Sequence, residues 1–305
     1  MPDLKEITTG LRFPEGPVCL SDGSVLVVEI AAGRLTKVAP GGAKTLVAET
    51  GGGPNGAAIG PDGACYLCNN GGFEWHDLDG LVVPGLQPAD YTGGSLQRVD
   101  LETGAVETVY THCGDVQLRG PNDLVFDAEG GVWFTDLGKT RERDRDRTGV
   151  FYARPDGSFI TEPIFPLDLP NGIGLSPEGD RLYVAETPTA RVFWFEIEGP
   201  GRIKPNPFST NGGHLLVTLP GLKMLDSLAV DGDGNVCVAT LLEGGITSIS
   251  PDGGRVEFLP TGDPMTTNIA FGGDDLRTAY LTLSGSGRLV STPWPTAGLR
   301  LNYNA

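Results

Sequence analysis

GPNDLVFDAEGGVWFTD, at residues 120–136, contains the pattern that decides the fold. A short apolar strand enters a tight turn at Glu129-Gly130, and a second strand rich in aromatic and β-branched residues leaves it. Gly after Asp or Glu supplies the positive φ that a tight hairpin needs. Turn and second strand recur six times, as SDGSVLVVE (21–29), PDGACYLCN (61–69), AEGGVWFTD (128–136), PEGDRLYVAE (177–186), GDGNVCVAT (232–240) and GDDLRTAYLT (273–282). This recurrence predicts a repeat protein built from β-hairpins.

Each hairpin begins with a polar residue seven positions before the acidic residue of its turn. The six residues are Glu15, Asn55, Asn122, Asn171, Asp226 and Asn268, with successive gaps of 40, 67, 49, 55 and 42 residues. Such spacing is typical of one four-stranded propeller blade with loops of variable length. We therefore predict an all-β fold in which residues 1–305 form a single six-bladed β-propeller, closed by pairing of the two termini. A β-sandwich and a five-bladed ring are the alternatives.

The composition excludes the helical fold classes. The 305 residues include 46 Gly and 24 Pro, and the longest stretch without either is Asp274–Ser284. Coiled coils, helical repeats and doubly wound α/β sheets all need longer uninterrupted helical windows. A net charge of −17 argues against a nucleic-acid partner, because phosphate backbones require a basic face.

The location of the protein is predicted from its first residues, its hydropathy and its cysteines. MPDLKEITTG contains no apolar signal segment, and no apolar run reaches the eighteen residues needed to span a bilayer. Five scattered cysteines are typical of reduced thiols, so we expect a cytoplasmic protein with no membrane partner. Cys65 and Cys68 form a C-x-x-C, but residues three apart on a strand face opposite sides and cannot chelate one metal.

Three long insertions interrupt the repeats, at Asn70–Gly94, Leu137–Thr148 and Ile197–His214. Residues 70–94 form the second-blade insertion, and residues 137–148 form the third-blade insertion. Long ordered loops are often functional, and the second-blade insertion is rich in Gly and aromatic residues. We predict that it is a lid whose Phe73, Trp75, His76 and Tyr91 shape a pocket. The alternative is a loop that only packs on the neighbouring blade.

The repeated polar position predicts a binding site. The innermost strand of each blade lines the central channel of a propeller, so six polar residues at one offset form a ring at one mouth. This polar ring offers carboxylate and amide oxygens, which are the donors that Ca²⁺, Mg²⁺ and Mn²⁺ prefer. The alternative is that these residues cap turns or line a water-filled channel.

FPEGPV, GPNDLVFDAEGGVWFTD, PNGIGLSPEGDRLYVAET and LDSLAVDGDGNVCVA resemble the gluconolactonase/regucalcin (senescence marker protein) family over essentially the whole chain. The resemblance implies a six-bladed propeller that holds one catalytic divalent cation in its channel and hydrolyses lactones of sugar acids. Ca²⁺ is the expected cation, with Zn²⁺, Mn²⁺, Mg²⁺ and Fe²⁺ as alternatives. The same superfamily includes phosphotriesterases similar to diisopropylfluorophosphatase.

The resemblance also implies roles for single residues. The metal ligands of the family fall on Glu15, Asn171 and Asp226, and Asp226 is also the proposed general base. Asn122 matches an asparagine that contacts metal or substrate, so it is assigned to catalysis and to substrate binding. Regucalcin-like members have an arginine two residues earlier, where this chain has Gly120; Arg119 is one residue further back. The predicted substrate-binding residues are Asn122, Arg119, Asn55, His76 and Trp75.

Together these observations predict a metal-dependent lactone hydrolase that acts on a small-molecule lactone. Asp226 would take the proton from the attacking water, and no covalent nucleophile is expected because G-x-S-x-G is absent. Two alternatives are a phosphotriesterase or other esterase with the same site, and a non-catalytic propeller that binds Ca²⁺.

Overall fold

A computed structural model describes residues 3–304 and confirms the predicted all-β class and the six-bladed propeller. β1 (Lys5–Thr8) precedes the first blade, which contains β2 (Pro14–Cys19), β3 (Val25–Glu29), β4 (Arg34–Val38) and β5 (Lys44–Glu49). A single 3-10 turn, Ile30–Ala32, joins β3 to β4. Within residues 3–304 there is no α-helix, and none of the described segments forms a helix able to cross a membrane.

The second blade contains β6 (Pro54–Ile59) and β7 (Cys65–Asn69), followed after the insertion by β10 (Ser95–Val99) and β11 (Val106–Tyr110). The insertion forms its own hairpin, β8 (Trp75–Leu78) and β9 (Leu81–Pro84). A short ladder of β12 (His112–Cys113) and β13 (Val116–Gln117) leads to the third blade. That blade contains β14 (Pro121–Phe126), β15 (Val132–Asp136), β16 (Thr148–Ala153) and β17 (Ile160–Leu167).

The fourth blade contains β18 (Pro170–Leu175), β19 (Arg181–Glu186), β20 (Arg191–Gly199), β21 (Arg202–Lys204) and β22 (His214–Thr218). Both β21 and β22 pair with the long strand β20, so the insertion predicted at Ile197–His214 begins as an extension of the sheet. The fifth blade contains β23 (Met224–Val230), β24 (Val236–Leu241), β25 (Gly245–Ile249) and β26 (Val256–Pro260). The sixth contains β27 (Thr266–Gly272), β28 (Thr278–Leu283) and β29 (Arg288–Pro293).

The propeller is closed by its first strand. β1 pairs antiparallel with β29 and becomes the outermost strand of the sixth blade, as predicted from the sequence. The segment after β29 crosses the channel mouth opposite the polar ring. Leu299 N donates to Val230 O of the fifth blade, and Asn302 Nδ2 donates to Phe126 O of the third. The repeat pattern does not extend to these last residues, so the sequence did not indicate this crossing.

Within residues 3–304 the hydrophobic core consists of six clusters, each between two adjacent blades. Successive side chains of one strand enter different clusters: Trp133 packs against the fourth blade, whereas Phe134 packs against the second. Because both faces of each inner sheet are buried, the strands have continuous apolar sequences rather than alternating ones. Cys65 and Cys68 follow the same rule and lie in separate clusters.

Candidate active site

The polar ring lies at the beginning of the innermost strands, β2, β6, β14, β18, β23 and β27. In every blade the pairing of the innermost strand with its neighbour shifts register at this residue or directly beside it. Such β-bulges bend a strand and re-aim its side chains, often next to active sites. The six repeats therefore share a backbone irregularity at the residue that the sequence singled out.

Glycines after the ring residues bring the innermost strands together. A Cβ on Gly16, whose φ is +50°, would lie 2.5 Å from the carbonyl oxygen of Asn55. A Cβ on Gly56 would lie 2.6 Å from the carbonyl oxygen of Asn122. The glycine of the PEG and PNG motifs is thus needed for close approach of neighbouring blades, which places their ring residues side by side.

Most of the ring is shielded from solvent. Glu15, Asn55, Asn122, Asn171 and Asn268 are between 1% and 4% exposed, whereas Asp226 is half-buried. Glu15 Oε1, Asn55 Oδ1 and Asn122 Oδ1 are buried and have no hydrogen-bond partner among residues 3–304. An unpaired buried acceptor costs about 1–3 kcal/mol, so three of them on one ring indicate a site completed by a ligand or by water.

The donor set fits a hard divalent cation. Carboxylate and amide oxygens are suitable ligands for such an ion, and the unpaired oxygens belong to both kinds. Across residues 3–304 no three His, Cys, Asp or Glu side chains come close enough to form a metal site by themselves. A cation at the ring would therefore need the asparagine oxygens as well as the carboxylates.

The acidic side chains of the channel strongly influence one another. Burial raises the pKa of Glu15 to about 7, although hydrogen bonds from Asn268 and Gly16 oppose the shift. The pKa of Asp226 is raised well above its usual range, first by burial and then by the nearby charge of Glu15. Burial is the first cause of both shifts, and buried carboxyls with raised pKa values are typical of functional sites.

Asp123 is a further acidic residue in the channel that the sequence prediction missed. It follows Asn122 directly and is 7% exposed, and burial together with the charge of Glu15 raises its pKa to about 8. Strand alternation would turn Asp123 away from the face of Asn122, but the bulge between Pro121 and Leu124 breaks that alternation. A charged residue inside the buried run PNDLVF was the signal that could have indicated it.

Hydrogen bonds orient several ring side chains. Asn171 Nδ2 donates to Thr187 Oγ1 at 3.2 Å, and Ser227 Oγ donates to Asn171 Oδ1 at 3.5 Å. Asn268 Nδ2 donates to Glu15 Oε2 at 2.6 Å, so Asn268 supports a predicted ligand. Among the described residues the side-chain oxygen Oδ1 of Asn55 has no hydrogen-bond partner, and the same is true of Asn122 Oδ1.

The second-blade insertion lies at the same mouth as the polar ring. It follows Asn69, which pairs with Pro54, the residue before Asn55. Trp75 packs on Phe13 of the first blade, with ring centroids 5.0 Å apart. Val82 N donates to Gly285 O of the sixth blade at 2.9 Å, and Gln87 N donates to Thr140 O of the third-blade insertion at 3.0 Å. The insertion thus contacts three blades other than its own.

The remaining predicted substrate-binding residues lie further out. His76 is exposed, and the exposed Arg119 donates from Nη1 to Gln117 Oε1 at 3.0 Å. Within residues 3–304 neither side chain is hydrogen-bonded to a member of the ring. The backbone N–H of Arg119 instead donates to Asp136 Oδ2 at 2.7 Å.

Below the ring, the channel contains a cavity of about 610 Å³ that extends to the opposite mouth. Its wall includes Asp123 and Asn268 at the ring end and Phe126, Leu299 and Asn302 at the other end. The cavity is therefore partly covered by the C-terminal segment, on the side away from the second-blade insertion.

Comparison with known proteins identifies relatives along most of the chain. The family model described as "SMP-30/Gluconolactonase/LRE-like region" matches residues 13–285. The lactonase drp35 of Staphylococcus haemolyticus is 29% identical over 245 residues, covering 80% of this chain and 67% of that protein. The gluconolactonase of Zymomonas mobilis is 25% identical over 298 residues, covering 88% of this chain and 76% of that protein.

The fold is also shared with a solved structure from a more distant protein. Regucalcin from Agrobacterium tumefaciens, described as a calcium-binding protein, superposes with a TM-score of 0.75 at 16% identity, and the match covers 98% of each chain. At this identity the likeness shows the fold alone.

Proposed function

Because the chain belongs to the SMP-30/gluconolactonase/LRE-like family, we propose that it is a metal-dependent hydrolase that opens the ring of a small-molecule lactone. The observation that carries the proposal is the set of buried, unpaired oxygens on Glu15, Asn55 and Asn122 within a ring that also holds Asp226. The related lactonase and gluconolactonase support the reaction class. Five free thiols and a net charge of −17 support a cytoplasmic enzyme without a nucleic-acid partner.

We assign the cation to Glu15, Asn171 and Asp226, with Asn122 beside them. When bound, a divalent cation supplies polarisation of the lactone carbonyl. Burial raises the pKa values of Glu15 and Asp226, and a bound divalent cation would favour their ionised forms. Ca²⁺ is the proposed ion because all the donors are oxygens, and the same donors accept Zn²⁺, Mn²⁺, Mg²⁺ or Fe²⁺.

Asp226 is the proposed general base. Its half-buried carboxylate takes a proton from water as the water oxygen bonds to the carbonyl carbon. The ring C–O bond then breaks, and the departing oxygen takes the proton back from Asp226, which yields a hydroxy acid. Asn122 orients the lactone through its amide, and the second-blade insertion, with Trp75 packed on Phe13, acts as the lid that limits access to the ring.

The proposal is tested by hydrolysis of a panel of γ- and δ-lactones before and after EDTA treatment, with each candidate cation added back. We expect hydrolysis that EDTA abolishes and that at least one cation restores. Tight cation binding without hydrolysis of any lactone would contradict the proposed reaction and favour a binding protein. Hydrolysis that survives complete chelation would contradict the metal requirement.

A further inference from the structure

Lys139 is the only basic residue among the buried side chains of residues 3–304, and it is 1% exposed. It lies in the third-blade insertion, close to the ring mouth, because that insertion follows Asp136 and Asp136 pairs with Pro121 beside Asn122. A buried ammonium group is costly unless its charge is compensated, so its surroundings need an explanation.

The charge of Lys139 is not compensated by an ion pair. Among the described residues no carboxylate lies within 4 Å of its Nζ. The two nearby acidic groups are engaged elsewhere: Asp146 binds Arg141, and Asp136 accepts three backbone N–H groups, from Arg119, Gly120 and Gly138.

The partners of Lys139 belong to the second-blade insertion instead. Nζ donates to Gly72 O at 2.5 Å and, at 3.4 Å, to Asn70 Oδ1. It lies 4.2 Å from the ring centroid of Phe73 and 5.3 Å from that of Tyr91. A carbonyl oxygen accepts a hydrogen bond from a charged or a neutral amine, and an aromatic face attracts the charged form. The single Nζ of Lys139 therefore contacts both the beginning and the end of the insertion.

A row of aromatic residues connects this contact with the polar ring. Phe73 packs edge-to-face on Trp75 with centroids 6.0 Å apart, and Trp75 packs on Phe13 at 5.0 Å. Phe13 lies two residues before Glu15 in the chain. The contact between Phe73 and Lys139 is thus connected, through Trp75 and Phe13, to the strand that contains Glu15.

From these contacts we propose that Lys139 is a positioning residue: the hydrogen bonds and packing of its Nζ hold the base of the second-blade insertion against the third blade and thereby set how the insertion covers the ring. The effect on lactone binding rests on the proposed function, whereas the effect on the insertion does not.

The protonation of Lys139 gives the proposal a characteristic pH dependence. Burial lowers the pKa of Lys139 from 10.5 to about 7, against the opposing effect of Asp136 and Asp146. The other ionisable groups around it change little in this range: Arg141 stays charged, and burial raises the pKa of Tyr91 to about 12. When the insertion is lifted, Lys139 is exposed to water and regains its usual pKa. The lifted state therefore binds more protons than the closed state between pH 7 and 10.5. Closure should therefore become more favourable as pH rises through this window, by at most about tenfold per pH unit.

The experiment compares wild type with Lys139→Met, which keeps the apolar stem and removes the donor and the charge. Limited proteolysis within residues 70–94 needs no substrate and is measured at pH 7 and pH 9.5. We expect wild type to become more protected at the higher pH. In Lys139→Met we expect faster cleavage at pH 9.5 and no dependence on pH. The exposed Lys204→Met is the matched control and should behave as wild type.

Lactone hydrolysis provides the second measurement. Lys139→Met should raise KM about fivefold, as expected for the loss of one ordinary hydrogen bond, with kcat nearly unchanged. The proposal would be overturned if Lys139→Met were cleaved no faster than wild type at pH 9.5, or if its cleavage still depended on pH. A lower Tm of this variant together with a wild-type KM would also overturn it. If Lys139→Met does not fold, Phe73→Leu provides the test, because it removes the nearer aromatic face and should also speed cleavage within residues 70–94. Protection of Phe73→Leu equal to that of wild type would overturn the proposal. Absence of any lactonase activity in wild type would instead refute the proposed function and leave the proteolysis result decisive.

Discussion

Asn268 Nδ2 donates a 2.6 Å hydrogen bond to Glu15 Oε2, which joins the last blade of the propeller to the first at the polar ring. Because Gly16 N also donates to Oε2, that oxygen is fully engaged and Oε1 alone is left unpaired. Glu15 is thus oriented by one blade contact and one backbone contact, with a single oxygen free for a ligand. This arrangement makes Glu15 the ring residue whose substitution is most informative.

Glu15→Gln should lower the affinity for a divalent cation by about tenfold or more, because one charged ligand becomes neutral. A cation that binds only the folded state stabilises it by RT ln(1 + [L]/Kd), which is about 2.7 kcal/mol at 100 Kd. The increase in Tm on adding the cation should therefore shrink in this variant. Calorimetric titration and thermal melts with and without the cation measure both effects.

The exposed Glu107→Gln is the control for this experiment, since it removes the same charge far from the channel. It should keep the affinity and the Tm increase of wild type. An equal Tm increase in wild type and Glu15→Gln would show that Glu15 does not bind the cation.

The stability of the folded protein should depend on pH without the cation and much less with it. The pKa of Glu15 is raised from 4.5 to about 7 and that of Asp123 from 3.8 to about 8, both chiefly by burial. The folded state then binds more protons than the unfolded state between these values, so the stability of the chelated protein should fall as pH rises from 5 to 8. A saturating cation favours the ionised carboxyls, so both states are nearly fully ionised between pH 5 and 8 and the decrease should largely disappear.

Urea unfolding at pH 5 and pH 8, in EDTA and in excess cation, measures the four stabilities. Glu15→Gln removes one of the titrating groups, so its decrease in EDTA should be smaller than that of wild type. A chelated protein that is equally stable at both pH values would contradict the raised pKa values.

Gly56→Ala should destabilise the protein by about 1–3 kcal/mol, the usual cost of forcing extra atoms into a packed interior. Its Cβ would lie 2.6 Å from both the carbonyl oxygen of Asn122 and the Cα of Asp123, so the two blades would have to separate. The separation displaces Asn122, and kcat/KM should fall as well. Gly41→Ala is the matched control, because a Cβ there has no neighbour within 4 Å. Equal stabilities of the two variants in urea would contradict this account of the PNG motif.

The sequence predicted the architecture because each blade repeats the same local signals. The turn at Glu129-Gly130 and the polar residue seven positions earlier are short-range features, and short-range features can be detected by comparing copies. Asp123 was missed because the register shift beside Asn122 has no sequence signature that we recognised. The contact of Lys139 with Gly72 was missed because it joins two insertions 67 positions apart, and insertions do not repeat. The exposed positions of His76 and Arg119 depend on such loop packing too.

The general base is tested by comparing Asp226→Asn with Asn268→Ala at saturating cation. Asp226→Asn keeps the shape and one carbonyl donor but cannot accept the proton, so kcat/KM should fall by about 10²–10⁴. Asn268→Ala removes the amide that binds Glu15 Oε2, and a water molecule can replace that neutral donor. Its cost should therefore be much smaller and should appear mainly as weaker cation binding. If Asp226→Asn retains more than about a tenth of wild-type activity, well short of the usual loss, another residue is the base. Asp123 is then the first to test, because it lines the channel and its charge acts on Asp226. If Asn268→Ala is the more damaging change, Asn268 contacts the reacting groups itself rather than through Glu15.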